Sequence, residues 1–279
     1  MSYQLPKGAC DSHAHVFGPY DQFPLVEGRS YTPPEASLEA LEAMMDRVGL
    51  SRAVLIHPSA YGLDHSAMLN AIAMSKFQLR GVAAVGSDVT DDTLEMFDAG
   101  GVRAVRYTEA LGADGKPFAG AIGLDHYHKM ASRIKSLGWH VHVWGPCARV
   151  TSMLKNIDTD VPFVLDHVAS LSVAEGVDGE AFQTLLALLR EGRVWVKLCP
   201  QRSSSCFPSY EDVRPFHEAM IEANPDHLVW ASDHPFIRMG ERTPKVEQLF
   251  DVFAKWTPDT ELQRKILVDN PAKLFGFDK

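Results

Sequence analysis

Residues 38–56, LEALEAMMDRVGLSRAVLI, contain the pattern that decides the fold. Apolar side chains recur every three or four residues in Leu38–Val48, which predicts a helix with one buried face. Gly49 stands where that helix should end, because glycine commonly follows the last helical residue. The short apolar run Ala53–Ile56 then predicts a buried strand. Helix, glycine and strand in this order are typical of a parallel sheet covered by helices.

The same unit recurs along the whole chain. Further strands are predicted at Cys10–Val16, Gly81–Val85, Val102–Tyr107, His140–Trp144, Phe163–His167, Val194–Leu198 and Leu228–Ser232. Further amphipathic helices are predicted at Thr93–Ala99, His126–Leu137, Ala181–Arg190 and Val246–Trp256. The tail Glu261–Phe275 is predicted to be helical with a break before Pro271. This alternation predicts the α/β class and a single (β/α)8 TIM barrel, regular or distorted, with residues 1–279 as one domain.

The composition excludes several classes of function. The 279 residues include 27 Lys and Arg against 36 Asp and Glu, a net charge of −9, which disfavours binding of nucleic acid or anionic lipid. No apolar run of about 18 residues is present, so no membrane span is expected. The N-terminal residues 1–15 lack the apolar segment of a signal peptide, so secretion is not expected, and a reducing cytoplasm is the expected location. The four cysteines form no C-x-x-C pair, so neither a zinc ribbon nor a disulfide framework is indicated.

Polar side chains stand at the carboxyl ends of several predicted strands, where TIM-barrel enzymes carry their active sites. His13 and His15 are two residues apart and share one face of the first strand. His167 ends the sixth strand, and Asp233 follows the eighth. Burying an unpartnered polar group costs about 1–3 kcal/mol. Several such groups at one end of a barrel therefore predict a functional site.

Other polar residues near the strands have different interpretations. Asp166 has the opposite strand parity to His167, which predicts a side chain outside the barrel or in packing. Lys197 lies within the seventh strand, and a buried lysine there would need a partner that the sequence does not identify. The remaining histidines outside the strands are expected at the solvated surface: His65, His126, His128, His217 and His227.

The ordered motifs of the chain resemble the amidohydrolase superfamily. The pattern consists of H-x-H on the first strand, a histidine ending the sixth and an aspartate ending the eighth. The match covers CDSHAHVFGPYDQFPLVEGRSYTPPEAS (10–37), GVRAVRY (101–107), GWHVHVW (138–144), VLDHVA (164–169), VWVKLCPQR (194–202), WASDHP (230–235) and LVDNPAKLFGF (267–277). These segments, in this order, are similar to the 2-pyrone-4,6-dicarboxylate lactonase family across essentially the whole chain.

This resemblance implies a hydrolase that opens a small carboxylated lactone of the pyrone, muconolactone or sugar-acid type. Asp233 would be the base that activates water. His13, His15 and His167 would polarise the lactone carbonyl and stabilise the oxyanion. The assignment agrees with general chemistry, because water needs a base about 3 Å away and an oxyanion needs donors already aimed at it. The alternatives are a lactone isomerase and a metal-dependent decarboxylase of an aromatic or muconate-like acid.

The resemblance also implies substrate contacts. Arg106 resembles a carboxylate-binding arginine, since a guanidinium matches a carboxylate with two parallel hydrogen bonds. The other expected contacts are Tyr31, Arg202, Ser59 and Trp144. The family has a second basic residue shortly after the strand-four arginine, where this chain has Glu109 and Asp114, which would repel a dianion. A lactone with one acid group, or a sugar-acid lactone, is therefore at least as strongly expected as the pyrone dicarboxylate.

Trp144 bears on the metal content of the site. Metal-dependent amidohydrolases usually have a histidine at the last inward position of the fifth strand, where this chain has Trp144. An indole cannot ligate a metal, and the lactonase branch works without one, so no metal cofactor is favoured. Zinc or another divalent metal is the alternative. Its ligands would be His13, His15, His167 and Asp233, with His142 as a further candidate.

Overall fold

The computed structural model describes residues 3–112, 114–157 and 160–278. Within these residues one parallel sheet contains β1 (Cys10–Ala14), β2 (Arg52–Ile56), β3 (Gln78–Ala83), β4 (Val102–Thr108), β5 (His140–Trp144), β6 (Phe163–Leu165), β7 (Val194–Leu198) and β8 (Leu228–Trp230). Each strand pairs with the next in the chain. The predicted α/β class and (β/α)8 TIM barrel are confirmed. Because β6 and β8 are shorter than predicted, His167 and Asp233 lie beyond the strand ends.

The barrel closes loosely between its first and last strands. In the described part of the chain, Ala14 forms an isolated parallel bridge with His234, beyond the end of β8. The backbone N–H of Asp233 also donates to the carbonyl of His13 at 2.8 Å. The barrel is therefore nearly closed, with a seam between β1 and β8. This seam is a departure from a regular barrel, which the sequence prediction included as a possibility.

Helices cover the outside of the sheet. They are α1 (Leu38–Val48), α2 (Ser66–Met74), α3 (Asp91–Ala99), α4 (Tyr127–Ser136), α5 (Cys147–Lys155), α6 (Glu180–Arg190), α7 (Arg214–Ala223), α8 (Val246–Trp256), α9 (Thr260–Arg264) and α10 (Asn270–Phe275). The first helix follows its sequence pattern, because its buried residues are Leu41, Met44, Met45 and Val48. Gly49 ends α1 with φ 85°, a conformation that glycine adopts without steric cost. No helix among the described residues is both long and apolar enough to cross a bilayer.

The predicted break before Pro271 is wrong. The chain is helical from Thr260 to Phe275, with a π-helical turn over Lys265–Asp269 between α9 and α10. Pro271 stands at the start of α10, where a missing N–H is tolerated, and the wider π-helical turn precedes it. The side-chain amide of Asn270 donates to the carbonyl of Leu228 at 2.7 Å, which ties this tail to β8.

The two ends of the barrel interior differ in polarity. Phe275 from the tail, whose ring lies 5.1 Å from that of His140 at the start of β5, packs with the apolar residues Val54, Ile56, Val82 and Ala104. Toward the carboxyl ends, the buried residues include His13, Asp166 and Lys197. The tail therefore fills the base of the barrel with apolar side chains, and the polar groups collect at the end that carries the cavity described next.

Candidate active site

A cavity of about 290 Å³ opens at the carboxyl ends of the strands. Its wall includes the sequence-predicted residues His15, Tyr31, Ser59, Arg106, Trp144, His167, Arg202 and Asp233. His13 is fully buried and lies against Asp233 and His167. The structure thus brings together the residues that the sequence selected, while their chemical roles stay predictions.

Asp233 lies among three imidazoles. Its Oδ1 atom is 3.6 Å from Nε2 of His13, 3.5 Å from Nε2 of His15 and 3.9 Å from Nε2 of His167. Burial alone would raise the pKa of Asp233, but His167 and the Arg202 guanidinium hold that pKa well below its usual range. The carboxylate is therefore ionised at neutral pH, as a proton acceptor must be.

The backbone presents these side chains from an uncommon conformation. Asp233 has φ 63° and His167 has φ 53°, both in the left-handed region that residues other than glycine rarely occupy. Such conformations cost of order 1–3 kcal/mol each and are concentrated at functional sites. They occur here because β6 and β8 have already ended, at Leu165 and Trp230, so the chain can turn its side chains into the cavity.

Asp166 lies inside the barrel, so the prediction from strand parity is wrong. Its Oδ1 atom is 2.9 Å from Nζ of Lys197, and its Oδ2 atom accepts from Nε of Arg106 at 3.0 Å. The parity argument fails because β6 ends at Leu165, one residue before this position. Burial would raise the pKa of Asp166, but Lys197 and His13 hold it well below its usual range. An ionised carboxylate therefore lies beneath the cavity.

The Lys197 ammonium favours one tautomer of His13, although Oδ1 of Asp166 also lies 3.4 Å from the same Nδ1 atom. Nζ of Lys197 is 3.0 Å from Nδ1 of His13, and both side chains are fully buried. When the ammonium donates to Nδ1, the ring proton must be on Nε2, the atom that faces Asp233. Burial lowers the pKa of His13 well below its ordinary value, and the Lys197 charge lowers it further. His13 is therefore a neutral imidazole whose Nε2–H lies 3.2 Å from Nε2 of His15 and 3.6 Å from Oδ1 of Asp233.

The other two imidazoles are also held through Nδ1. Nδ1 of His15 is 2.7 Å from the carbonyl oxygen of Ile56, which can only accept, so His15 carries a proton on Nδ1. Nδ1 of His167 is 3.3 Å from Sγ of Cys199. Burial raises the pKa of Cys199, so the thiol keeps its proton and can donate it to this nitrogen. In that arrangement His167 carries its own proton on Nε2.

Arginines and aromatic rings form another part of the wall. The guanidinium of Arg106 lies 5.2 Å from the ring centroid of Trp144. Phe118 stacks on Trp144, with ring centroids 5.3 Å apart. Arg202 donates from Nε to Oδ2 of Asp233 at 2.5 Å. Planar cations beside flat rings suit a small planar anion.

Glu109 does not line the cavity, so the expectation that it would repel a dianion is wrong. Its Oε2 atom is 2.7 Å from Nη2 of Arg149, and its Oε1 atom accepts from the N–H of Leu124 at 2.8 Å. Asp114 is exposed and accepts from the N–H of Lys116 at 3.1 Å. Neither carboxylate is among the residues that line the cavity.

Sequence reasoning missed Arg238, which lines the cavity. It lies five residues after Asp233, in the loop that follows β8. A basic residue so close to the carboxyl end of a barrel strand was the available signal, because these loops carry the substrate contacts of TIM-barrel enzymes.

His142 lies beneath the candidate site. Its Nε2 atom is 3.0 Å from Nε2 of His140, and burial lowers its pKa to about 3. Two histidines expected at the surface, His65 and His217, are buried, because each ring packs against an interior aromatic side chain. For these two residues the expectation of a solvated position is wrong.

Two sets of donors in the described chain are close enough to hold a metal ion. They are His13, His15 and Asp233, and His13, Asp166 and His167. Nitrogen and carboxylate donors of this kind suit zinc. However, His13 belongs to both sets, and the Lys197 ammonium beside its Nδ1 leaves the proton on Nε2. A protonated ring nitrogen has no lone pair for a metal, so the tautomer of His13 does not fit this use of Nε2.

Comparison with known proteins agrees with this geometry. The family model described as Amidohydrolase matches residues 10–277. The chain belongs to the amidohydrolase family. The resemblance inferred from its motifs is thereby confirmed.

Relatives match this amidohydrolase over nearly its whole length. The 4-sulfomuconolactone hydrolase of Rhizobium radiobacter is 35% identical to this chain. The alignment covers 99% of this chain and 92% of that relative. The 2-pyrone-4,6-dicarboxylate hydrolase of Comamonas testosteroni is also 35% identical, and its alignment covers 98% of this chain and 92% of that relative. A structure from Acinetobacter baumannii, described as a probable 2-pyrone-4,6-dicarboxylic acid hydrolase with citric acid bound, has a TM-score of 0.84 at 27% identity and covers 97% of this chain and 100% of its own.

Proposed function

We propose that this amidohydrolase opens a small lactone bearing acid groups, by attack of a water molecule that Asp233 activates. The observation that carries the proposal is the position of the Asp233 carboxylate. Its Oδ1 faces three imidazoles at 3.5, 3.6 and 3.9 Å, and its Oδ2 is bonded to Arg202. Two relatives at 35% identity are named as hydrolases of a pyrone dicarboxylate and of a sulfomuconolactone, which supports this reaction class.

In the proposed reaction Asp233 accepts a proton from water as the water oxygen bonds to the lactone carbonyl carbon. The carbonyl oxygen becomes an oxyanion. The ring C–O bond then breaks, and the proton held by Asp233 passes to the departing ring oxygen. The product has a free hydroxyl or enol and a carboxylic acid, which releases its proton to solvent and becomes a carboxylate, so atoms and protons balance with water as the co-reactant.

The oxyanion is proposed to bind imidazole N–H groups. In the tautomers described above, Nε2–H of His13 and Nε2–H of His167 both point toward Asp233. Donors that are already oriented in a buried site stabilise developing charge without reorganising. His15, whose proton is on Nδ1, presents the lone pair of Nε2 to the Nε2–H of His13 at 3.2 Å, so in this tautomer it positions His13 and does not itself donate to the oxyanion.

Arg202 is proposed to change partners when substrate binds. In the structure its guanidinium is paired with Asp233, and this pairing helps to keep the pKa of the carboxyl low. An acid group of the lactone can take over the guanidinium, because an arginine binds any carboxylate in the same planar geometry. Asp233 then becomes a stronger base when substrate is present.

The remaining predicted residues are proposed to orient the substrate. Arg106 keeps its Nε on Asp166, which leaves its other N–H groups for an anionic group of the lactone. Tyr31 and Ser59 supply hydroxyl groups on the same wall, and Trp144 offers a flat surface for the lactone ring.

We propose that no metal takes part. The support is the Lys197 contact, which leaves Nε2 of His13 protonated, and the indole of Trp144 on the cavity wall. Elemental analysis of protein purified without added metal, with activity before and after chelator, tests this proposal. Stoichiometric zinc together with loss of activity on its removal would contradict it.

A hydrolysis screen tests the reaction itself. Five- and six-membered lactones with one or two acid groups are incubated with the enzyme in ¹⁸O-labelled water, and proton release is followed. Hydrolysis places one labelled oxygen in the new carboxylate. Conversion without label would instead indicate an isomerase, and release of carbon dioxide by metal-containing protein would indicate a decarboxylase.

A further inference from the structure

We propose that Arg238 binds a second acid group of the substrate and so selects lactones that carry two acid groups. The proposal rests on the proposed function and deepens it. Arg238 lines the same cavity as Arg106 and Arg202, although it comes from the loop after β8. It therefore supplies the second basic group that the sequence lacks after the strand-four arginine.

The guanidinium of Arg238 has no carboxylate partner among the described residues. By contrast, Arg106 is paired with Asp166 and Arg202 with Asp233. The contact that Arg238 does make is with an aromatic ring, because its guanidinium lies 6.0 Å from the ring centroid of Phe118. A cation on a ring face keeps all of its N–H groups free for an anion, whereas a cation in a salt bridge has already used some of them.

The balance of charge around the cavity fits a dianion. Among the residues that the structure describes, three arginines line it and Lys197 lies beneath, whereas the carboxylates in contact with these cations are Asp166 and Asp233. Two positive charges are thus left uncompensated at this site in a chain whose net charge is −9. A local surplus of one sign in a concave site attracts a ligand of the opposite sign and matching charge.

The backbone links Arg238 closely to the proposed base. A tight turn follows Asp233, in which the N–H of Phe236 donates to the carbonyl of Asp233 at 2.8 Å. Arg238 itself has φ 64°, a left-handed conformation that arginine seldom adopts. The short connection fixes the backbone of Arg238 relative to Asp233, and its exposed side chain reaches the cavity wall from there.

The acid group that Arg238 takes is a carboxylate or a sulfonate. Both present coplanar pairs of oxygens to a guanidinium fork. Phe118 and Trp144, stacked on each other, form the adjoining surface and suit an unsaturated, flat lactone. The occupant is therefore a planar lactone with one acid group near Arg106 and Arg202 and another near Arg238.

Two pairs of lactones test the inference, each differing by one acid group. They are 2-pyrone-4,6-dicarboxylate with 2-pyrone-6-carboxylate, and 4-sulfomuconolactone with muconolactone. In Arg238→Met we expect kcat/KM for the two-acid member to fall about 10- to 100-fold, mainly through KM, because hydrogen bonds to charged groups have this magnitude. The one-acid member should lose much less, so the ratio within each pair falls. Arg238→Lys should restore part of the ratio, and whichever pair responds more identifies carboxylate or sulfonate as the preferred group.

Lys116→Met is the matched control, because Lys116 is an exposed basic residue in the loop after β4 and does not line the cavity. It should alter neither ratio. An equal fall for both members of a pair in Arg238→Met, or no fall for either, would overturn the inference. Calorimetric binding of 2-pyrone-4,6-dicarboxylate is measured in parallel. If the natural protein binds this lactone but does not turn it over, the proposed function is wrong. If Arg238→Met binds it as tightly as the natural protein does, or if the natural protein does not bind it, the proposed role of Arg238 is wrong.

Discussion

Nζ of Lys197 lies 2.9 Å from Oδ1 of Asp166, and both side chains are fully buried. The same ammonium is 3.0 Å from Nδ1 of His13. A buried lysine and a buried aspartate are each unfavourable alone, and together they form an ion pair that also orients an imidazole of the candidate site. The pair therefore connects the interior of the barrel with the chemistry proposed at its mouth.

Lys197→Met should destabilise the protein, because it leaves the Asp166 carboxylate with less positive charge around it. Removing one partner of a buried ion pair typically costs about 3–5 kcal/mol, and the remaining Arg106 contact places the expected loss at the lower end. Urea denaturation measures the free energy of unfolding. The double variant Asp166→Asn with Lys197→Met should recover part of the loss. Equal stability of Lys197→Met and the natural protein would contradict the ion-pair interpretation.

Asp233→Asn should remove turnover while the protein still binds ligand. An amide cannot accept the proton from water, and loss of a general base lowers rates by about 10²- to 10⁴-fold. The measurements are kcat on the best lactone from the screen and calorimetric affinity for its product. Asp114→Asn, at an exposed position, is the control. A kcat within tenfold of the natural protein would remove Asp233 from the proposed role.

Glu109→Gln should leave the KM for a two-acid lactone within about twofold, since Glu109 faces Arg149 and Leu124 rather than the cavity. Its expected effect is on stability, with a loss of about 1–2 kcal/mol because a charged acceptor is replaced in a buried position. Steady-state kinetics measure the KM, and urea denaturation measures the free energy of unfolding. A clear fall in KM would show that its charge reaches the substrate.

The stability should decrease as the pH is lowered from 7 toward 4. Burial, with a smaller effect of Arg214, lowers the pKa of His217 to about 4, whereas the unfolded chain has its ordinary value near 6.5. The unfolded state therefore binds more protons in this interval, and the stabilising contribution is complete above pH 6.5 and is lost as the pH falls to about 4. The slope is about 1.4 kcal/mol per pH unit for each such proton.

Urea denaturation at pH 7, 6 and 5 checks this dependence. Other buried histidines with lowered pKa values act in the same direction, namely His65, His142, His167 and His234. His217→Gln removes one titrating group far from the cavity. The slope of the unfolding free energy against pH should therefore fall by an amount that corresponds to about one proton. A slope that is the same in both proteins would contradict a lowered pKa for His217.

The barrel and part of its site could be predicted from the amino-acid sequence alone. Helix and strand periodicity, with glycines at helix ends such as Gly49, is a local property that each segment carries without reference to the rest. The H-x-H motif likewise places His13 and His15 on one face, because both lie in the same strand. His167 and Asp233 could be selected because parallel strands of a barrel end at the same edge.

The contacts of these residues became known from the folded structure. Asp166 turns inward because β6 stops at Leu165 and the next backbone turn is left-handed, and strand parity has no meaning beyond the end of a strand. Lys197 meets Asp166, and Arg238 reaches the wall that contains Arg106, across the width of the barrel. Contacts between segments so distant in the chain depend on loop paths and on competition among charges, which no local pattern of residues encodes.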